Sequence, residues 1–125
     1  MKTNKSKSQN FIIPLVVYPF DIMVSIGETD EQLKKRFKRY NIDYSDYFEH
    51  ELSRGRSTLF TSGQTVIRFR TTNDTDCSIV SHEIFHAVTV LLNEIGMPFS
   101  LEHNDEAYAY LIGYVTEQFY KQLNQ

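Results

Sequence analysis

Val80, Ile84, Ala87, Val88, Leu91 and Ile95 recur at intervals of three and four, and this periodicity constrains the fold more than any other feature. It predicts an amphipathic helix over about residues 77 to 95, with an apolar stripe that must be buried against another element. Gly96-Met97-Pro98 ends it, and Thr75 or Asp76 can cap its start. His82 and His86 stand beside the stripe rather than opposite it, at the edge of the core and partly shielded from water. Four residues apart on a helix, they share one face, about one turn apart. Two imidazoles so placed can donate nitrogens to one zinc ion, while Glu83 can hold the metal's water.

The rest of the chain supplies the partners for that stripe. Residues 1 to 10 are Lys- and Ser-rich and read as a flexible tail, leaving 11 to 125 as a single domain. From Phe11 to Ile26 the chain is apolar and β-branched, which predicts one or two strands with Pro14 and Pro19 at an edge or bend. Thr29-Asp30-Glu31-Gln32 has the form of a capping box, and Leu33, Phe37 and Tyr40 follow at helical spacing. The basic residues of the run Lys34 to Arg39 fall outside that stripe. Residues 41 to 63 lack periodicity and read as a long loop with one short helical turn. Gln64 to Thr71 predicts a strand with Ile67 and Phe69 inward, Arg68 and Arg70 outward. A last helix begins near Asp105 and runs to about Gln122. The expected fold is α+β: a small mixed sheet, one basic amphipathic helix and two packed C-terminal helices.

A catalytic zinc wants three protein ligands and an open position, so a third donor must come from another element. Glu106 is the foremost candidate, because a helix, a turn and a returning helix would bring it back toward the histidines; His103 is its rival. His82-Glu83-Ile84-Phe85-His86 followed by Glu106 resembles the gluzincin type of zinc metallopeptidase, with a gap from His86 like that of thermolysin-like members. Asp105-Glu106-Ala107-Tyr108-Ala109-Tyr110 also resembles the Glu-x-x-Ala region of small repressor-cleaving metallopeptidases of phages and mobile elements. The resemblance covers residues 64 to 120. It implies a zincin-like fold and a zinc-dependent peptidase, with His82, His86 and Glu106 as ligands and Glu83 as general base. It also implies a peptide or protein substrate that adds to the edge of the strand bearing Arg68 and Arg70. Tyr108, Tyr110, Tyr114 and His103 are the candidate oxyanion or supporting donors. Tyr110 stands where thermolysin-like members carry an aspartate that orients a ligand histidine.

Each residue also has an ordinary reading. The histidines can be a satisfied pair at the core edge, Glu106 an acid favoured by a helix N-terminus, and the tyrosines core and rim residues. His50 reads as surface decoration, and Cys77, the single cysteine, as a small residue in the helix's first turn. One cysteine allows no intrachain disulfide, which suits a reducing cytoplasm. Pro14 and Pro19 interrupt the early apolar run, and no stretch reaches membrane-spanning length. The formal net charge of -3 argues against a dedicated polyanion binder. The alternatives are a metallopeptidase-like binding or regulatory protein without turnover, and a nucleic-acid or partner-binding module acting through Lys34 to Arg39.

Overall fold

The computed structural model describes residues 7–123. Strands β1 (Gln9–Leu15) and β2 (Phe20–Ile26) form an antiparallel hairpin, with Pro14 opposite Asp21. β1 lies at a sheet edge, where a residue without an N–H is tolerated. The expected tail spans residues 1 to 10; Gln9 and Asn10 instead pair with Ile26 and Ser25 in β1, and residues 1–6 lie outside the described residues.

Helix α1 (Asp30–Arg39) opens on the expected capping box. The Gln32 amide donates to Thr29 Oγ1 at 3.1 Å, and the Thr29 amide donates to Gln32 Oε1 at 2.8 Å. A 3₁₀ turn (Tyr47–Glu49) and strand β3 (Gly55–Leu59) follow, then β4 (Thr65–Phe69), α2 (Cys77–Glu94) and α3 (Asp105–Gln122). The sheet order is β1-β2-β4-β3; β2 and β4 run parallel, and the other two pairs antiparallel. The fold is α+β with a mixed sheet, as the periodicities imply.

Strand alternation explains why both faces of the sheet are covered. Ile22, Val24, Ile26, Ile67 and Phe69 join Val80, Ile84, Val88, Leu91, Val115 and Phe119 in one core, so α2 and α3 share one face. Met23 and Val66 join Leu33, Phe37, Ile42, Tyr47 and Phe60 in a second core under α1 and the 3₁₀ turn. Phe37 is its hub, edge-on to Tyr47 and Phe60 at 5.4 and 5.2 Å between ring centroids.

Three expectations change here. β4 is an interior strand with every residue buried, so Arg68 and Arg70 do not mark a substrate edge. Arg68 is buried, and its Nη2 donates to Asp30 Oδ1 at 2.8 Å and to the Glu28 carbonyl at 3.1 Å; Arg70 lies just past the strand. Within the basic run, Arg36 is buried in an ion pair with Glu28 at 2.7 Å, while Tyr40 is exposed at the end of α1. Finally, β3 occupies part of the stretch read as a loop. Its Gly-Arg-Ser-Thr-Leu sequence shows no apolar alternation because all five residues are half-buried on an edge.

α2 ends in a Schellman arrangement: Met97 N donates to Leu92 O at 2.9 Å and Gly96 N to Asn93 O at 3.1 Å. Gly96 has φ +83°, a left-handed conformation that glycine adopts without strain. Among the described residues no helix is long and apolar enough to cross a membrane.

Candidate functional site

Helix α2 brings His82 and His86 together. Their Nε2 atoms are 3.2 Å apart, and the rings meet edge to face with centroids 4.7 Å apart. A tetrahedral ion about 2.0–2.1 Å from two nitrogens holds them about 3.3 Å apart. The pair is thus spaced for one zinc, and equally for a hydrogen bond between one protonated and one bare Nε2. Both side chains are exposed, not partly shielded as their place beside the stripe suggested. The stripe turns toward the sheet, and the histidines lie far enough around the helix to face solvent.

Glu83 points elsewhere. It is buried against β3, where the Ser57 hydroxyl lies 2.9 Å from Glu83 Oε1 and 2.8 Å from the Glu83 main-chain oxygen. Gly55 is where this packing is closest. A Cβ there would stand 2.9 Å from Glu83 Cγ and 3.0 Å from its Oε2, below ordinary contact distance. Gly55→Ala is therefore expected to push the Glu83 side chain aside and cost about 1–3 kcal/mol, as overpacking does. Denaturant titration checks it, and an unchanged midpoint would refute the contact.

The start of β3 is tied to the turn before α2 through Asp74. Arg54 Nε donates to Asp74 Oδ1 at 2.7 Å, while the Thr71 amide and hydroxyl donate to Oδ2 at 3.0 and 2.7 Å. Burial alone would raise this carboxyl; the Arg54 and Thr71 hydrogen bonds outweigh it and hold it below the ordinary value of 3.8. A carboxyl lowered on folding stabilises the fold above its unfolded value, and that contribution disappears as pH falls through the folded one. Stability of the parent is thus expected to fall more steeply below about pH 4 than that of Asp74→Asn. Thermal melts across that range measure the difference, and parallel profiles would refute the linkage.

α2 is positioned by its stripe, and Asp76 stands at its N-cap. The Asp76 carboxylate bonds the Ser78 hydroxyl at 2.9 Å rather than a helix amide. Cys77 is exposed in the first turn, and His50 is exposed as well.

The third expected ligand is not brought to the histidines. α2 continues eight residues past His86 to Glu94, about 12 Å at helical rise, before the chain reverses. The first turn of α3 is pinned to that reversal: Tyr108 Oη donates to Met97 O at 2.8 Å, and Asn104 Nδ2 to Pro98 O at 2.7 Å. Tyr108 is buried, and Glu106, two residues earlier and so about 200° around the helix, is exposed. Among the described residues no group of three or more His, Cys, Asp and Glu side chains is disposed to hold a metal.

The expected supporting donors have surroundings of their own. Tyr108 is committed to Met97 and packs edge-on against Phe99. Tyr110 is 77% exposed, and Tyr114 donates to Pro14 O at 3.0 Å across the α3–β1 contact. His103 is exposed, with Glu102 at 3.7 Å.

Sequence reasoning missed Gly55 and Ser57, the two residues that define the surroundings of Glu83. The available signal was Gly63 between Phe60 and Thr65, which marks a glycine-containing hairpin loop and so a strand ahead of it. No family model matches the chain, and no curated protein or solved structure matches it.

Proposed function

We propose that the chain is a zinc-dependent peptidase in which His82 and His86 hold the metal and Glu83 moves the proton. The observation that supports this reading is the 3.2 Å approach of the two Nε2 atoms. Zinc, when bound, would supply a Lewis acid that acidifies water and polarises a carbonyl. Glu83 is the residue of this chain suited to accept a proton and return it to a leaving amine. Ser57 fixes Oε1, leaving Oε2 as the oxygen to carry that proton.

An extended peptide substrate would pair with β3, because β3 is the exposed sheet edge beside α2 and Glu83. That replaces β4, which has strands on both sides. The peptide's main-chain groups would find partners along β3, and Gly55 would let its backbone lie close to Glu83.

A second reading is favoured by one specific observation. Glu106 lies outside the histidine group, so the chain also suits a metallopeptidase-like protein that binds and regulates without turnover. The nucleic-acid module loses support, since Arg36 is committed to Glu28 and only Lys35, Lys38 and Arg39 of the basic run are exposed. Glu83→Gln combined with elemental analysis separates the readings: loss of hydrolysis with retention of zinc supports the peptidase. A parent that binds no zinc refutes both metal readings.

A further inference from the structure

Among the described residues the donor set at the histidines is short. Residues 1–6 and 124–125 are Met, Lys, Thr, Asn, Lys, Ser, Asn and Gln, none a His, Cys, Asp or Glu. The described residues place no third such side chain with the pair. A zinc on His82 and His86 therefore has two coordination positions without a His, Cys, Asp or Glu side chain among the described residues, on a face open to solvent.

That face is unusual for an exposed helix. α2 carries only two charged residues, Glu83, which is buried, and Glu94 at its last position. Between Ser78 and Asn93 its outward surface shows Ser81 and the two histidines, with Phe85 at 51% exposure and Val90 at 36%. A second copy of this surface would meet it without like-charge repulsion, and would set Phe85 and Val90 against apolar partners.

We infer that zinc joins two copies of this chain through His82 and His86 of each, in a four-imidazole site on the two-fold axis between two α2 helices. A two-fold contact is self-complementary, so the second pair arrives already at the right spacing. Four nitrogens fill the tetrahedral shell, which makes the site closed in the sense of structural zinc sites. This inference rests on the proposed reading of the histidines as zinc ligands, and not on turnover.

The experiment measures molar mass by light scattering, and zinc per chain by elemental analysis, for the full chain with one equivalent of added zinc and after chelation. The expected result is a mass twice that of the chain, with one zinc per two chains, reverting to the monomer on chelation. His82→Ala and His86→Ala should each abolish the mass doubling while keeping the parent's far-ultraviolet dichroism, since both side chains are exposed. A monomer holding one zinc per chain would overturn the inference and leave the ligand reading standing. Loss of zinc from such a monomer on Glu106→Gln would assign the missing ligand to Glu106. A chain that binds no zinc would overturn both readings, and a dimer indifferent to chelation would overturn the inference alone.

Discussion

Glu83→Gln is expected to lower peptide hydrolysis by about 10²–10⁴-fold, the usual contribution of a positioned general base, while zinc content stays at the parent's level. The substitution suits the site because a glutamine amide oxygen can still accept from Ser57, which lies 2.9 Å from Glu83 Oε1. The packing of Gly55 against the side chain is also preserved, since glutamine has almost the same shape. What disappears is the capacity to take a proton at neutral pH. The loss should fall on kcat and on kcat/KM together, because the proton moves in the transition state. Single-turnover hydrolysis of a peptide library by parent and variant measures it. Hydrolysis that survives the substitution would refute Glu83 as the base, and zinc loss would show that its carboxylate holds the metal instead.

Phe37→Ala is expected to cost about 3–5 kcal/mol, the range for removing a large buried aromatic side chain. Phe37 is fully buried and meets four rings, those of Tyr44, Tyr47, Phe48 and Phe60, at centroid distances of 5.2 to 6.0 Å. Each such ring pair contributes about 0.5–1.5 kcal/mol beyond its area. The second core is small and closed on one side by the 3₁₀ turn, so collapse into the cavity would displace Tyr47. Tyr47 carries the Arg56 guanidinium over its ring at 4.0 Å and accepts its Nη2 at the main-chain oxygen at 2.8 Å. A domain of this size is stable by about 5–15 kcal/mol, so the variant should be marginally folded at room temperature. Urea titration with an unchanged m-value would measure the loss; a change below about 1 kcal/mol would mean the core repacks.

The elements with strong local signals were readable in the sequence. The α2 stripe, the Gly96 stop and the capping box of Thr29 and Gln32 depend on residues within a few positions of one another. The β1–β2 run was readable for the same reason, with Pro14 tolerated at the edge. β3 was not, because an edge strand half-exposed on both faces carries no alternation for its neighbours to impose. Arg36 and Arg68 were read as outward because Arg36 falls outside the α1 stripe and Arg68 alternates with Ile67 and Phe69. Their burial follows from Glu28 and Asp30, whose proximity depends on how α1 crosses the sheet.

At the candidate site the division is sharper. The sequence by itself determined that His82 and His86 share a helix face, because an i, i+4 spacing on a well-patterned helix sets the two side chains one turn apart on the same side. Only the tertiary structure decided what else stands there. The order β1-β2-β4-β3 put β3, with Gly55 and Ser57, against Glu83. The length of α2 beyond His86 and the docking of Tyr108 on Met97 kept Glu106 away. Spacing along the chain sets geometry within one helix, whereas contacts between elements depend on strand order and on where each helix ends. Those are set by burial of the two cores, to which no short stretch of sequence holds the key.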